Sequence, residues 1–255
     1  MATERASRRS ASIPPPDREV LEAVLATALP TAAAATRASL VRKAQLSSMR
    51  RDDVLQRQGE ADDLAMILDG YVALLRLTVD GREIVARVIG KGDTTGVVAA
   101  ALGGSIDVES VALSNGAYAT WSQSDIRAAL VADGGLARDF LSHVLHAVAE
   151  LSARLETLHY QNAERRVARA LYEYRDLVFS DPPIILPKRL PAIVGTSREM
   201  VSRAVRRLGS HGAIERSRSG LRLLDLARLR ELAGVATEGQ AQSASGTSSS
   251  SWADR

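Results

Sequence analysis

The stretch VGTSREMVSRAVRRL, Val194 to Leu208, decides the fold of the C-terminal part of this chain. Gly195 lies where the chain has to turn sharply, a position that favours a residue without a Cβ. Thr196 follows as an N-cap, and Glu199 stands three residues later, at the spacing of a capping box. These residues predict the turn and the second helix of a helix-turn-helix.

The predicted helix has one apolar and one polar face. Val201, Val205 and Leu208 recur at helical spacing and predict a buried stripe. The polar residues at the helix start and on the opposite face are Thr196, Ser197, Arg198, Glu199, Ser202, Arg203 and Arg206. Arginine can donate to guanine O6 and N7, a carboxylate can accept from the cytosine amino group, and serine can bond a base or a phosphate. These residue types suit recognition in the DNA major groove, although a solvated amphipathic helix has the same charge pattern.

Two short strands are predicted after this helix. Residues 212–216 and 221–224 have strand character, and the turn between them is rich in Ser and Gly. Arg216 and Arg218 belong to this wing, where they would contact DNA phosphates. From Ala163 to Arg230 the chain holds 15 Lys or Arg against 7 Asp or Glu, although the whole chain carries a net charge of only +3. The segment therefore predicts a winged helix-turn-helix that binds double-stranded DNA.

Composition sets the broad class of protein. The 255 residues, 45% of them apolar, are enough for two small domains with their own cores. No stretch approaches about 18 uninterrupted apolar residues, so we expect no membrane-spanning helix and a cytoplasmic protein. Arg8 and Arg9 resemble the start of an export signal, but Pro14–Pro16 and several charged residues interrupt the segment after them. The chain has no cysteine, which excludes disulfides, thiolate metal sites and cysteine-ligated iron–sulfur clusters.

The segment between Arg51 and Asp125 has the pattern of β-strands. Met66–Leu68 and Tyr71–Leu77 are apolar runs, and Glu83–Ile89 follows an Asp80-Gly81 turn. Asp-Gly between two alternating runs is a strong hairpin signal. Glycines recur at intervals of roughly ten residues, as at the corners of a small antiparallel barrel or sandwich. The pattern predicts a β-rich sensor domain and not a dinucleotide-binding one.

A helical pattern runs from Leu136 to about Phe179. Within it, apolar residues alternate at intervals of three and four, as in a coiled coil. This seam consists of Leu141, Val144, Val148, Leu151, Leu155 and Leu158. The seam fits either a dimer interface or packing on the chain's own β domain. The helix-turn-helix favours a dimer, because two recognition helices can then read two half-sites about one DNA turn apart.

The order of β-roll, long helix and winged helix-turn-helix resembles the Crp/Fnr family of transcription regulators. The resemblance covers roughly Ser39 to Ala233. Its most specific part is the family pattern G-x-S-R-E-x-V-x-R, present here as Gly195, Ser197, Arg198, Glu199, Val201 and Arg203. Supporting matches are Gln58–Glu60, Leu68–Val72, Asp80–Arg82 and Arg166–Arg169.

The resemblance implies an α+β fold with three parts. These are an N-terminal double-stranded β-roll of the cyclic-nucleotide-binding jelly-roll type, a long dimerisation helix and a C-terminal winged helix-turn-helix. The roll would occupy residues 17–132, the helix 133–162 and the winged helix-turn-helix 163–233. The polar, Pro-rich residues 1–16 and the low-complexity residues 234–255 are expected to be disordered tails.

The resemblance also implies roles for residues in the recognition helix. Arg198 and Arg203 would each contact a guanine, and Glu199 a cytosine, in each half of a roughly palindromic operator. A Glu199 carboxylate that bonds the N-cap amide cannot also face cytosine, and we favour base contact when DNA is bound. Pro191 departs from the family pattern in the first helix of the motif. Proline is tolerated there only in the first turn, so that helix should start late.

The nucleotide site departs further from the family. In members that bind cyclic nucleotides, a glycine opens a short helix, an acidic residue holds the ribose hydroxyl and an arginine neutralises the cyclic phosphate. Here Val97 follows the glycine, and no Lys or Arg lies between Gly92 and Ile126. Glu109 stands near the place of the arginine, where its carboxylate would repel a phosphate. The candidate effector pocket consists of Gly96, Val97, Glu109, Ser110, Leu151 and Ser152.

This pocket is expected not to bind cyclic AMP in the usual way. It suits an apolar or uncharged ligand, or it is filled by its own side chains, and the sequence leaves both open. No cofactor or metal site is predicted: His143 and His146 are spaced i, i+3 but lie off the seam, where solvated histidines are common. Haem stays open. No P-loop, nucleophile elbow or metal-hydrolase motif is present, so no enzymatic activity is expected.

The predicted function is a sequence-specific, homodimeric DNA-binding regulator, with RNA polymerase as a candidate further partner. In this hypothesis the long helix transmits the state of the roll to a hinge near Gln161 to Arg166. Two alternatives stay open: a regulator that responds to a cyclic nucleotide or another small ligand, and an interaction module that has lost its DNA affinity. Salt-dependent DNA retention distinguishes a DNA binder from such a module.

Overall fold

The chain divides into two units within one long helix, between Ala149 and Glu150. The computed structural model describes residues 16–235, apart from 61–62, 80, 82, 107, 161 and 219, and for residues 156–160 only the backbone. Nearly all of the two predicted tails lies outside these ranges.

Two helices that the sequence pattern did not predict precede the strands. They are α1, Arg18–Ala28, and α2, Ala34–Lys43. Helix α1 buries Leu21, Val24 and Leu25, which recur at helical spacing on one face. The predicted roll domain therefore begins with a helical pair and not with a strand.

Two four-stranded antiparallel sheets form the roll in the first unit. Its strands are β1 Gln45–Met49, β2 Val54–Gln56, β3 Leu64–Asp69, β4 Val72–Leu77, β5 Glu83–Ile89, β6 Thr94–Thr95, β7 Glu109–Ala112 and β8 Gly116–Trp121. One sheet has the strand order β1-β8-β3-β6 and the other β2-β7-β4-β5. Helix α3, Val97–Leu102, lies between β6 and β7, and α4, Gln123–Ala132, follows β8. The predicted double-stranded roll is confirmed, but α4 was not predicted.

The hairpin between β4 and β5 lies where the sequence predicts it. Leu77 pairs with Glu83 as the last pair before the turn. The Gly81 amide donates to the Thr78 carbonyl at 2.9 Å, and Gly81 has a φ of 74°, a conformation that glycine adopts without strain. Asp80 and Arg82 lie outside the described residues.

Strand β3 contributes to two cores, which explains its nearly continuous apolar sequence. Leu64, Met66 and Leu68 pack in one cluster with α1, α4 and the start of the long helix. Ile67 points to the other face and packs in a second cluster with strand residues of the roll. The indole of Trp121 belongs to the first cluster and donates to the Leu40 carbonyl at 2.8 Å, which joins β8 to α2.

The long helix, α5, runs from Gly134 to Tyr160. Its first turns pack in the core of the roll through Leu136 and Phe140. Beyond them, most of the predicted seam is exposed: Leu141 58%, Val148 53%, Leu151 56% and Leu155 50%. Val144 is half-buried, and the side chain of Leu158 lies outside the described residues. Leu145, which the predicted seam omits, is 58% exposed beside it.

Two carboxylates connect the start of α5 to the beginning of α2. Asp133 accepts hydrogen bonds from the amides of Ala33 at 2.8 Å and of Gly135 at 2.8 Å. Asp139 is buried and accepts from the Thr31 amide and hydroxyl, at 3.0 and 2.7 Å, and from the Ala32 amide at 3.0 Å. These amides precede α2, whose own N-cap residue makes no side-chain cap. Asp133 thus bonds the amide of Ala33, the N-cap residue of α2, and Asp139 bonds the two residues before it, both from positions about a hundred residues away.

The second unit contains the predicted winged helix-turn-helix. Its elements are α6 Ala163–Glu173, α7 Arg175–Val178, a 3-10 turn Pro187–Arg189, α8 Leu190–Val194, α9 Arg198–Ser210, β9 Ile214–Arg216, β10 Leu221–Leu223 and α10 Leu226–Ala233. Strands β9 and β10 pair antiparallel as the wing. The helical pattern from Leu136 to Phe179 is thus three helices, and Asn162 caps the second by accepting the Arg165 amide at 2.9 Å. The predicted α+β fold class is confirmed.

Candidate nucleic-acid interface

The recognition helix, α9, begins one residue later than the sequence predicts. Its N-cap is Ser197, whose hydroxyl accepts the Met200 amide at 3.2 Å. The predicted N-cap Thr196 is wrong, because its amide still belongs to the preceding turn and donates to the Pro191 carbonyl at 3.1 Å. Gly195 has a left-handed conformation, with a φ of 67°, and one further residue, Thr196, lies between it and the N-cap. Glu199 then lies at the second helical position, and the predicted capping box is wrong as well.

Glu199 pairs with Arg203 instead of the N-cap. An Arg203 guanidinium nitrogen donates to a Glu199 carboxylate oxygen one turn away, and both side chains are largely exposed. This hydrogen bond, and the charge of the guanidinium, lower the pKa of Glu199, while Glu199 raises the pKa of Arg203. The carboxylate lies on the outer face of α9, so the conflict between capping and base contact does not arise.

The inner face of α9 is buried as predicted. Val201, Val205 and Leu208 are buried, and Ala204, which the sequence pattern did not single out, is buried with them. Arg198, Arg203 and Arg206 are exposed. The apolar face packs α9 against the rest of the unit, and the arginines on the opposite face are accessible to a ligand.

The first helix of the motif, α8, has five residues and carries Pro191 in its first turn. The predicted late start is therefore confirmed, and the 3-10 turn before it takes the place of the missing helical turn. Leu190, Ile193 and Val194 of α8 are buried. A guanidinium nitrogen of Arg154, from the last turns of α5, donates to the Ile193 carbonyl.

The wing lies beside α9 and is bonded to it. Arg216 of β9 donates to the Ser202 hydroxyl of α9 at 3.2 Å. A groove of about 640 Å³ lies between α8, α9 and the wing. Its apolar lining includes Leu190, Val201 and Val205, and its cations are Lys188, Arg198, Arg216 and Arg218. Such a groove has the charge and concavity that a DNA phosphate backbone requires.

Two further arginines of this unit are engaged in ion pairs. Arg207 of α9 pairs with Glu164 of α6 at 3.0 Å, and Arg222 of the wing pairs with Glu215 at 2.5 Å. Neither was among the predicted contact residues. Four cations line the groove, and Arg203 and Arg206 lie on the outer face of α9.

Three polar side chains lie buried inside the roll, where the effector pocket is predicted. The Ser110 hydroxyl donates to the Gln56 side-chain carbonyl at 3.2 Å and lies 3.4 Å from the Thr95 hydroxyl. Gln56 donates in turn to the Asp63 carbonyl at 2.5 Å. All three polar side chains are buried, and these hydrogen bonds are internal to the roll. Neither Gln56 nor Thr95 was predicted, since single polar residues in short strands look like exposed ones.

Gly96 lies next to this polar group and opens α3 with a φ of 80°. A Cβ on Gly96 would lie 2.9 Å from the Asp63 carbonyl, 3.4 Å from Cδ1 of Ile106 and 3.6 Å from Nε2 of Gln56. Ile106 is buried, its amide donates to the Glu60 carbonyl at 3.0 Å, and its carbonyl accepts from the Gly59 amide at 2.8 Å. Protein atoms therefore pack closely around Gly96.

The other predicted pocket residues have different surroundings. Val97 is half-buried against the core of the roll, and Glu109 is half-buried on β7, where it pairs with Leu75. Leu151 and Ser152 are exposed on α5. The structure thus brings Gly96 and Ser110 together through Gln56, and it leaves Leu151 and Ser152 on a helix surface.

The described ranges hold neither a group of metal ligands nor a helix that could span a membrane. Within residues 16–235, less the gaps given above, no three His, Cys, Asp or Glu side chains are grouped so that they could hold a metal ion. In the same part of the chain, no helix is long and apolar enough to cross a membrane. His143 is half-buried and His146 is exposed.

Comparison with known proteins identifies both units. Residues 46–133 match the family described as "Cyclic nucleotide-binding domain", and residues 165–232 match the "Crp-like helix-turn-helix domain". "Transcriptional regulator SdrP" of Thermus thermophilus is 26% identical over 184 residues, which cover 69% of this chain and 86% of that protein. "Cyclic AMP receptor protein" of the same organism is 25% identical over 170 residues, 67% of this chain and 79% of that protein.

Solved structures agree with these relatives. The structure of a CRP/FNR family transcriptional regulator from Thermus thermophilus is 25% identical, with a TM-score of 0.65, and the match covers 74% of this chain and 98% of that one. The roll, the Crp-like helix-turn-helix and these relatives lead to one assignment. The chain belongs to the Crp/Fnr family of transcription regulators.

Proposed function

We propose that the protein acts as a homodimer on a roughly palindromic operator, with one α9 in the major groove of each half-site. The observation that carries this proposal is the outer face of α9. Arg198, Glu199 and Arg203 are exposed there, while the inner face is buried. In the proposed complex the two arginines contact guanines and Glu199 contacts a cytosine. Thr196, Ser197, Ser202 and Arg206 would lie near the DNA at the same face.

The groove beside α9 supports a role in holding the DNA backbone. Lys188, Arg216 and Arg218 line it, and none of these side chains needs to reach a base edge to bind a phosphate. In the proposed complex, Arg216 and Arg218 of the wing supply affinity that does not depend on sequence. Their removal should weaken binding to every DNA.

The exposed apolar face of α5 supports the homodimer. Leu141, Val148, Leu151 and Leu155 would otherwise remain in water, at a cost of about 25 cal/mol for each Å² of apolar surface. Their spacing fits knobs-into-holes packing with a second copy of the same helix. Two copies of α9 could then read half-sites about 10 base pairs apart.

The interior of the roll supports the proposal that cyclic AMP does not bind there in the usual way. The Ser110 hydroxyl lies within hydrogen-bond distance of both the Gln56 and the Thr95 side chain, so these polar groups of the interior already have protein partners. Between Gly92 and Ile126 no cation is available to neutralise a phosphate. A cyclic nucleotide or another small ligand remains the second candidate, because the roll matches the cyclic nucleotide-binding domain family.

The central experiment is selection of binding sites from random duplex DNA with the full chain. We expect a two-part site with related halves, and an affinity that falls steeply with salt because bound phosphates release counterions. The double variant Arg198→Ala, Arg203→Ala is the control and should lose the selected sequence. Wild-type protein that retains no DNA at low salt would show that the chain is an interaction module.

Two further measurements test the remaining parts of the proposal. Calorimetric titration with cyclic AMP and cyclic GMP should give no binding at micromolar concentrations, and such binding would favour the ligand-responsive alternative. Transcription in vitro, from a promoter that carries the selected site, tests the candidate contact with RNA polymerase. We propose that the protein acts in the cytoplasm.

A further inference from the structure

Arg154 lies on α5 and contacts the helix-turn-helix directly. One of its guanidinium nitrogens donates to the carbonyl of Ile193, in the last turn of α8. The Arg154 side chain is half-buried. Arg154 precedes the break between α5, which ends at Tyr160, and α6, which begins at Ala163, whereas Ile193 follows that break.

The bonded carbonyl is one that α8 cannot satisfy itself. The last carbonyls of a helix have no intrahelical donor and carry partial negative charge, so a cation beside them is favourable. In α8 the amides of Gly195 and Thr196 both donate to the Pro191 carbonyl. The Ile193 carbonyl receives the guanidinium of Arg154. The contact is therefore a charged C-terminal cap supplied by another helix.

Helices α6, α8 and α9 pack together through buried residues. Val167 and Leu171 of α6, Leu190 of α8 and Val205 of α9 are all buried in this unit. The chain itself joins this group of helices to α5 near residue 161. Two helical groups joined at one point of the chain can rotate relative to each other, and a second point of attachment restricts that rotation. Arg154 provides such a second point.

We propose that Arg154 is a positioning residue, which fixes the orientation of α9 relative to α5 and thereby the half-site spacing that a dimer accepts. This inference rests on the proposed function, a homodimer that reads two half-sites. Without the bond, each recognition helix would swing about the α5–α6 break, and the dimer would tolerate half-sites that are closer together or farther apart.

The test measures the affinity of the full chain for duplexes that carry the selected half-sites at the selected spacing, and at spacings one and two base pairs longer or shorter. In Arg154→Ala we expect the preference for the selected spacing to fall roughly 2- to 30-fold, the range typical of coupling residues. Affinity for a single half-site should change little. Arg154→Lys should restore part of the preference, because an ammonium group still donates but lacks the planar fork. Arg42→Ala is the matched control: it removes one exposed arginine from α2 and should behave as wild type.

The outcomes separate this inference from the proposed function. An unchanged spacing profile in Arg154→Ala would overturn the role of Arg154. An equal loss of affinity at all spacings and at the single half-site would also overturn it, because that result indicates a merely structural role. If Arg154→Ala unfolds at a much lower temperature, the spacing profiles of Arg154→Lys and Arg154→Gln, measured at normal stability, replace it. A profile like that of wild type in Arg154→Lys together with a broader profile in Arg154→Gln supports the inference. A profile like that of wild type in both variants overturns it. A wild-type protein without any spacing preference would instead contradict the proposed homodimer.

Discussion

Glu199 and Arg203 form an ion pair across one turn of α9, although the proposed complex assigns them to a cytosine and a guanine. Opposite charges at i, i+4 on an exposed helix face stabilise each other only weakly. Breaking the ion pair so that each side chain can bond a base therefore costs little free energy. The pair also keeps both side chains on the outer face. In the proposed complex each group exchanges its partner on the helix for a base.

Loss of Arg203 should change sequence preference more than general affinity. Arg203→Ala removes a bidentate contact with guanine, and we expect a loss of about 1 to 3 kcal/mol on the selected site, with relaxed preference at one base pair. The measurement is competition binding with a panel of single-base operator variants. Arg216→Ala is the comparison and should weaken all of them similarly. If Arg203→Ala leaves the ranking of the variants unchanged, Arg203 does not contact a base.

The titration of Glu199 provides a test of the ion pair by itself. Because the hydrogen bond and charge of Arg203 lower its pKa below the ordinary value of 4.5, the carboxylate should stay ionised in the folded protein at a pH where it would protonate in the unfolded chain. The stability from this pair is therefore complete above the ordinary pKa and is lost as the pH falls through the lowered one. Carboxyl NMR should show the lowered pKa in wild type and an ordinary one in Arg203→Ala. An ordinary value in both would mean that the pair does not form in solution.

Ser202 should act through Arg216 and not through a base. Its hydroxyl accepts the Arg216 guanidinium at 3.2 Å, which directs this arginine to the groove. Ser202→Ala should therefore weaken binding to all sequences alike, by about 0.5 to 1.5 kcal/mol, the usual contribution of one hydrogen bond. The same operator panel provides the measurement, with Ser210→Ala at the far end of α9 as a control. A change of preference at a single base pair would show that Ser202 reads the DNA itself.

The apolar face of α5 should decide the oligomeric state. Leu151→Glu with Leu155→Glu places two charges on this face, and we expect a monomer in sedimentation analysis together with a large loss of affinity for the two-part operator. Leu102→Glu is the control, because Leu102 is 82% exposed on α3 and lies outside the seam. A double variant that remains dimeric would place the dimer interface elsewhere.

Local sequence signals predicted the elements whose pattern is complete within a few residues. The hairpin of β4 and β5, the wing and the buried stripe of α9 all have such patterns, and β5 has the predicted bounds Glu83–Ile89. The N-cap of α9 was wrong by one residue, because Thr196 and Ser197 have equivalent side-chain chemistry and only the turn geometry at Gly195 distinguishes them.

Features that depend on tertiary contacts could not be predicted in this way. The hydrogen bonds of Gln56, Thr95 and Ser110 join three separate strands, and nothing in the neighbouring sequence indicates that these side chains face the interior. Helix α2 has no capping side chain of its own and a weakly amphipathic sequence, so its start carries no local signal. Asp133 bonds the amide of its N-cap residue and Asp139 bonds the residues before it, and only the folded chain brings these carboxylates near.

The buried Asp139, which bonds the residues that precede α2, leads to a stability prediction. Asp139 is buried and accepts hydrogen bonds from the amide and hydroxyl of Thr31 and from the amide of the buried Ala32, while the same hydroxyl also lies 2.8 Å from the Gly135 carbonyl. Asparagine has nearly the same shape, but one carboxylate oxygen is replaced by an NH₂ group, which donates and cannot accept. In Asp139→Asn, at least one donor of Thr31 or Ala32 would therefore face this NH₂ group. We expect a loss of about 1 to 3 kcal/mol in the free energy of unfolding of the roll. Fluorescence of Trp121, which lies in the core of the roll, follows this unfolding in urea. Asp176→Asn, at an exposed carboxylate of the other unit, should leave the transition unchanged. A wild-type transition in Asp139→Asn would show that these hydrogen bonds do not stabilise the roll.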